Sequence, residues 1–416
     1  MIWVRLFIFS ACLGATGWYL EQEQRAARFQ RVDDFFLDFL VANARDRLSQ
    51  PESGQGNPVV LVSLRAEQKS EYASWPAPPL DWQTILKGLH PFEPSVIVIP
   101  DTLFWGSPAP EFVPAVSEAL LPFTSVVLGV EAQLSQGSQT ATPFMGRIED
   151  HLPQFQRVDG PLDSAPSFSA LVSAPDPKLR AQSELGIAAV TMEGGLPYAL
   201  RAEGKLMPSV LAQALARYSN SPYAFHRLRL GPGAAAYLGQ GLFVPLEIDG
   251  TVKSQDDKKV AIVNALDLMT GGLADGLSAA DQAMLGKGKI IVIGSDHQVT
   301  GQAPSLARMH AAALTHLLSL PRLQRLSQIQ QWITCGLAAL SAFWIVFRVR
   351  RSRALHAGIA LIFTALVVSF LVFQSNFLWC PPTLPAALIG VGAVVGLIFG
   401  RGQVQSTPQE SSSASQ

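Results

Sequence analysis

Residues 332–353 read WITCGLAALSAFWIVFRVRRSR, an uncharged apolar run from Trp332 to Phe347 followed at once by Arg348, Arg350, Arg351 and Arg353. Two more apolar runs follow, Leu355 to Phe373 and Pro381 to Gly400, separated by the uncharged Gln374-Ser375-Asn376. Each run is near the ~20 residues that carry a helix across ~30 Å of hydrocarbon, with Ile329 and its neighbours extending the first. Arginines clustered beside a crossing favour the cytoplasmic side. The arginine loop is therefore expected in the cytoplasm, and Arg401 puts the end of the third run on the same side. Residues 402–416, rich in Ser and Gln, read as a disordered cytoplasmic tail. None of these runs holds an internal Asp, Glu, Lys or Arg, which argues against an ion or proton pathway. Gly390, Gly392 and Gly396 suit close helix packing, within one chain on the plainer reading and in a homodimer on the sharper one.

At the other end of the chain, Ile2 to Leu20 is a fourth apolar run with Arg5 near its start and Trp18-Tyr19 at its far boundary. It reads as an uncleaved anchor over residues 1–20, in preference to a signal cleaved near Ala15-Thr16-Gly17 or a lipidation site at Cys12. Four crossings with a cytoplasmic amino end leave residues 21–328 outside; Arg25, Arg28 and Arg31 oppose this mildly and are outweighed by the arginine loop. The expected organisation is an anchor (1–20), an extracytoplasmic domain (21–328), a three-helix membrane region (329–401) and the tail (402–416), in the cytoplasmic membrane of a bacterium.

Composition agrees with a divided chain. Of 416 residues 48% are hydrophobic and only 15% charged, and the net charge of −1 gives no electrostatic reason to expect nucleic acid as a partner. Cys12, Cys335 and Cys380 all lie in or beside the apolar runs, so they read as packing or lipid-facing residues and the domain has no disulfide framework.

Within residues 21–328 the apolar residues Phe29, Val32, Phe35, Phe36, Phe39 and Leu40 recur at helical spacing, predicting a helix that continues outward from the first crossing with one buried face. Short apolar runs at Val59 to Ser63, Ser95 to Ile99 and Ser125 to Val130 alternate with helical stretches such as Trp82 to Leu89. Ile187 to Met192 and Tyr198 to Ala202 read as a paired strand unit before a helix starting at Pro208. Leu242 to Leu246, Val260 to Val263 and Lys289 to Ile293 are further strands, and Ala307 to Leu320 is a last helix. Such alternation predicts an α/β extracytoplasmic domain with a mixed, partly parallel sheet, joined to four transmembrane helices, one amino-terminal and three carboxy-terminal.

Several strings stand in a specific order: Ser74-Trp75-Pro76 before a helix, Val96 to Phe104 with Asp101 after a strand, and Leu206-Met207-Pro208-Ser209. Glu247-Ile248-Asp249-Gly250, Lys289-Ile290-Ile291-Val292-Ile293-Gly294 and Met309-His310-Ala311 follow. With the membrane pattern, this set resembles the second type of CHASE domain, the extracellular sensory domain associated with cyclases and histidine kinases, over residues 1–401. The resemblance implies an extracellular sensor with three membrane helices behind it. The chain departs from that pattern at Pro79-Leu80, where the family carries an arginine, at Glu193-Gly194-Gly195-Leu196, and at the acid-poor Gly301-Gln302-Ala303-Pro304.

The polar cluster best positioned for ligand contact is Ser295-Asp296-His297, directly after an expected parallel strand, since ligands in open α/β sheets bind beyond the carboxyl ends of strands. Asp101 follows another strand. The plainer reading of both is a polar strand end. Asp296 and His297 would support an exported hydrolase only with a placed nucleophile or metal. His310 reads as a buried hydrogen-bonding residue before a ligand contact, and Trp75 with Pro76 as loop residues packed on the sheet before a stacking platform. No metal or cofactor constellation appears, and the glycines at 231, 233, 271 and 272 lack the context of a phosphate loop.

These readings lead to a non-catalytic sensor or signal-relay membrane protein. It would respond to an extracytoplasmic ligand or envelope protein and act on a membrane or cytoplasmic signalling partner. The alternative is a structural or scaffold component of a cell-envelope complex that keeps the sensory fold.

Overall fold

The structure is a computed structural model that describes residues 7, 10, 11, 14, 15, 30–51, 57–64, 76–106, 111–134, 152–202, 204–238, 241–253, 259–270, 277–295 and 305–399. It divides into two units, one of residues 45–322 and one of residues 1–44 with 323–416. The first expected crossing, Ile2 to Leu20, and the tail lie outside the described residues apart from isolated positions.

In the unit of residues 45–322 the short Val/Ile/Leu runs become the strands of one sheet. Its parallel part runs in the order β14 (Ala261–Asn264), β1 (Val59–Leu64), β15 (Ile290–Ser295), β2 (Val96–Ile99), β3 (Val126–Leu134) and β6 (Glu184–Ala188). β5 (Phe168–Ser173) pairs antiparallel with the far half of β3, so the sheet is mixed. Central strands buried on both faces carry continuous apolar runs because each alternate side chain meets a different core. Val59, Leu61, Val96, Val98, Ile290 and Val292 face one core, and Val60, Val62, Ile97, Ile99, Ile291 and Ile293 face the other.

The second of those cores is closed by α2 (Pro79–Leu89), α3 (Val113–Leu120), the short α4 (Pro177–Arg180), α6 (Ala265–Thr270) and α7 (Ala279–Leu285). Trp82, Ile85 and Leu86 supply the buried face of α2, and Trp82 is fully buried. The first core is closed by α5 (Val210–Tyr218) and α8 (Leu306–Leu318), together with a small second sheet. That sheet has the order β12 (Phe243–Pro245), β11 (Ala235–Tyr237), β10 (Arg227–Arg229) and β4 (Arg157–Asp159). Leu228, Ala236 and Val244, in register across three of its strands, all point into the first core. Arg45 fastens the end of α1 (Gln30–Leu48) to this sheet by donating to the carbonyls of Ala234 and Leu246 at 3.1 and 2.6 Å.

Two local expectations are corrected. Tyr198 to Ala202 does not pair with the preceding strand: β8 (Ala199–Ala202) forms a hairpin with β9 (Lys205–Pro208), while β6 joins the main sheet. Gly204, at φ +75°, closes that hairpin, a conformation glycine adopts without steric cost. The helix expected at Pro208 starts two residues later, at Val210, because Pro208 ends β9 and the Ser209 side chain caps the helix by accepting from Ala212 N. β7 (Leu196–Pro197) and β13 (Thr251–Val252) form a further short pair.

In the other unit, α9 (Gln328–Arg348) opens on a reciprocal capping box between Ser327 and Gln330. It is followed by the arginine turn, α10 (Ala354–Asn376) and α11 (Thr383–Phe399), with β16 (Gln324–Arg325) paired to β17 (Leu378–Trp379). Of the four expected crossings, two described helices are long and apolar enough to span a bilayer, Gln328–Arg348 and Arg351–Asn376. The helix Thr383–Phe399 is apolar but shorter than those two. Glycines let these helices close on each other: a Cβ at Gly392 would lie 2.5 Å from Ala342, and one at Gly358 2.5 Å from Ala393. Gly392 and Gly396 thus serve packing within the chain, whereas nothing lies within 4 Å of a Cβ at Gly390.

Candidate functional site

α2 and α3, next after β1 and β2 among the described helices, cover one face of the sheet, and α8, next after the intervening β15, covers the opposite face. The region beyond the carboxyl ends of adjacent strands whose following helices lie on opposite faces is where open α/β sheets commonly bind ligands. Asp101 stands there, one residue beyond Pro100 at the end of β2, and Ser295 ends β15. The structure brings these two predicted residues together: Ser295 N donates to Asp101 Oδ2 at 3.3 Å.

The segment carrying Asp101 is held on every side. Thr102 Oγ1 donates to the carbonyl of Gly129 at 3.2 Å and accepts from Glu131 N at 3.1 Å, tying the segment to β3. The carbonyl of Leu103 accepts from Asp176 N at 3.0 Å, and Trp105 Nε1 donates to Ala77 O at 2.8 Å. Two glycines make room for it. A Cβ at Gly129 would stand 1.8 Å from the carbonyl oxygen of Pro100, and one at Gly294 would stand 2.7 Å from Asp101 Oδ2 and 2.5 Å from Cβ of Ala307 on α8. Pro100 and Asp101 are therefore seated between bare backbone on both neighbouring strands.

Burial pushes the Asp101 carboxyl up to about 6; the Ser295 N–H opposes this by favouring the anion, and the charge of Glu131 adds to the rise. Asp101 is thus a carboxyl that exchanges its proton near neutrality, the property asked of a proton-transfer or ion-sensing group. Ser63, in register with Gly294 on the neighbouring strand, is fully buried, and among the described residues its hydroxyl has no hydrogen-bond partner. Neither Ser63 nor Gly129 was singled out in the sequence. The signal for Ser63 is a hydroxyl ending an otherwise apolar strand, and for Gly129 a glycine inside one.

The remaining predicted residues divide. His310 is buried on α8, where its Nδ1–H donates to the carbonyl of Leu306 at 2.8 Å, and burial pulls its pKa down to about 4. It is a neutral core histidine at pH 7, on the helix that packs over Gly294. Pro76 is buried in the loop that precedes α2. Trp75, Asp296 and His297 lie outside the described residues. Arg348 ends α9, and Arg350, Arg351 and Arg353 lie in the turn between α9 and α10, with Arg351–Arg353 in a 3₁₀ turn.

Among the described residues no three His, Cys, Asp or Glu side chains come together as a metal site. A separate shallow cleft of about 550 Å³ lies at the amino ends of β2, β3 and β15, lined by His90, Glu93, Pro122, Phe123 and Lys287. Its ion pair, Lys287 to Glu93, holds the Glu93 carboxyl below its ordinary range. It is at the opposite end of the strands from Asp101. Comparison of the chain with family models, with curated proteins and with solved structures gives no match.

Proposed function

We propose that the protein is a membrane-anchored extracytoplasmic sensor or signal-relay protein, with four crossings, that acts through a separate partner and has no catalytic output of its own. The observation that supports this most is the placement of Asp101: a desolvated carboxyl beyond the carboxyl end of a parallel strand, in a chain that also carries a packed group of apolar helices. A group of that kind changes charge when a ligand or proton reaches it. Such a change becomes a signal only if the bound form favours one conformation of the domain over another. The ordered strings shared with the second type of CHASE domain point the same way.

The connections that follow α9 and α10 are short, Val349 to Arg353 and Phe377 to Pro382, so the helices themselves are the proposed output surface. A second reading, a scaffold component of an envelope complex, draws on the tight seating of Asp101 between Gly129 and Gly294. Rigidity of that kind serves a fixed structure as well as a switch.

Co-purification from mild detergent separates the two. A kinase, cyclase or regulator recovered with the protein is the result expected for relay, and a stable multi-protein envelope assembly is the result expected for scaffolding. The orientation has its own check. Reporters fused after residues 60 and 250 are expected to be active outside the cytoplasm, and replacing Arg348, Arg350, Arg351 and Arg353 by glutamine is expected to give mixed orientation. Cytoplasmic activity of both fusions in the parent chain sinks the topology.

A further inference from the structure

Helix α11 opens without a capping side chain of its own. Ala386 N donates to the carbonyl of Pro382 at 3.0 Å, which puts Pro382 at the capping position. The first N–H groups of a helix have no acceptor within it, and the capping residue ordinarily supplies one from its side chain. Proline has no side-chain oxygen to give. The acceptor comes from another helix: Asp33 Oδ1, on α1, accepts from Thr383 N at 3.1 Å and from Thr383 Oγ1 at 2.5 Å. A carboxylate there also suits the positive end of the helix dipole. The ring of Phe36, 6.1 Å from that of Trp379, sets α1 beside the turn that leads into α11.

The buried side of α1 is not the one that the aromatic spacing predicts. Leu40 is buried as expected, but Val32, Phe35 and Phe39 are exposed, and the buried residues are Asp33, Leu37, Leu40, Val41, Ala44 and Leu48. Their intervals of three and four place them in one line along the helix. The line starts at the residue that caps α11 and ends beyond Arg45, which donates to the carbonyls of Ala234 and Leu246 in the small sheet. Between Gln30 and Leu48 there is no glycine or proline, the usual points at which a helix kinks. One unbroken helix therefore carries the cap of α11 near its start and the bonds to the small sheet near its end.

We infer that α1 is the arm of the relay: a shift of the small sheet, passed on through Arg45, withdraws Asp33 from Thr383 and loosens the amino end of α11. The inference rests on the relay reading and names its route. Asp33 suits this role because it is a borrowed cap. A helix capped by its own neighbouring residue keeps that cap wherever other elements move, whereas α11 keeps this one only while α1 stays docked.

The test is amide hydrogen exchange of the full chain in phosphatidylethanolamine–phosphatidylglycerol nanodiscs, read at residues 383–388. Asp33→Ala is expected to speed exchange there several-fold, and Asp33→Asn, which keeps an acceptor oxygen, to restore most of the protection. Arg45→Ala, distant in sequence from α11, is expected to speed it too, but to add nothing in a chain already carrying Asp33→Ala. Protection of α9 and β15 in the same samples shows that the fold is intact; if Asp33→Ala loses it, Asp33→Ser, too short to reach Thr383 N, takes its place. A purely local cap predicts that Arg45→Ala leaves residues 383–388 unchanged, and that result overturns the inference. So does an Arg45→Ala effect that survives a hinge made by Ala42→Gly with Asn43→Gly, since it would travel through the other connection at Arg322–Leu323. Either failure, in a chain that still recovers a signalling partner, removes the route through α1 and leaves the relay. Recovery of an envelope assembly alone removes both.

Discussion

Replacing Gly129 by alanine is expected to destabilise the unit of residues 45–322 by about 3 kcal/mol, lowering its unfolding temperature by ~6–10 °C. The added methyl would stand 1.8 Å from the carbonyl oxygen of Pro100, and that oxygen belongs to backbone, which no rotamer change can move aside. Relief requires β2 and β3 to part where they are paired from Ile97–Val126 to Ile99–Leu128. The bond from Thr102 Oγ1 to the carbonyl of Gly129 would be strained by the same movement, so Asp101 would lose its placement with the fold's local register. Gly390→Ala is the matching control, since nothing lies within 4 Å of its new methyl and alanine favours a helix. Thermal unfolding of the two purified variants, followed by circular dichroism in detergent, makes the comparison. An unfolding temperature for Gly129→Ala within a degree or two of the parent would mean that β2 and β3 are not spaced as described.

The same glycine shows where the sequence is readable and where it is not. Val59 to Ser63, Ser95 to Ile99, Ser125 to Val130 and Lys289 to Ile293 are legible as strands because burial on both faces leaves an unbroken apolar run, and Val260 to Val263, on the half-buried edge strand, is legible from its own apolar run. Their order in space is not legible. Nothing local says that β15, late in the chain, slides between β1 and β2, and it is this insertion that sets Ser295 beside Asp101. Asp101 and Ser295 could be picked out by the rule that strand ends carry function, but their pairing depends on the insertion. The short strands β4, β10 and β11 escaped notice because three residues give too little alternation to set them apart from loop. Gly129 is marked in the sequence only as a glycine inside an apolar strand; its role lies in the approach of Pro100 from the next strand.

The acid limb of the stability curve is expected to be set by opposing buried groups, and variants of two of them should pull it in opposite directions. His310 titrates near 4 in the folded chain against about 6.5 when unfolded, because its cationic form would be stranded in the core. The unfolded chain therefore binds the proton first as pH falls. His310 contributes stability that is complete above about 6.5 and is lost as pH drops toward 4, ~3 kcal/mol in all at ~1.4 kcal/mol per tenfold gap in proton affinity. His226, also buried and lowered to about 4, acts in the same sense, with its Nε2–H donating to Ser221 O at 2.9 Å. Asp101 has the reverse sign. Its folded value near 6 lies above the unfolded value of about 4, so its contribution is complete below about 4 and is lost as pH rises through 6. Between about 6.5 and 4 the losses from the histidines thus run against a gain of up to ~3 kcal/mol from Asp101.

Measured at about pH 7 and about pH 4.5, the gap in unfolding temperature is expected to narrow in His310→Gln, which cannot take up the proton, and to widen in Asp101→Asn, which cannot supply the compensating gain. Each change amounts to ~6–9 °C. Reading the difference between the two pH values for each variant removes any uniform cost of the substitution itself. If His310→Gln kept the parent's gap, the histidine would not be buried in its neutral form. If Asp101→Asn kept it, the carboxyl would be solvated, and a desolvated Asp101 would no longer support the sensor reading.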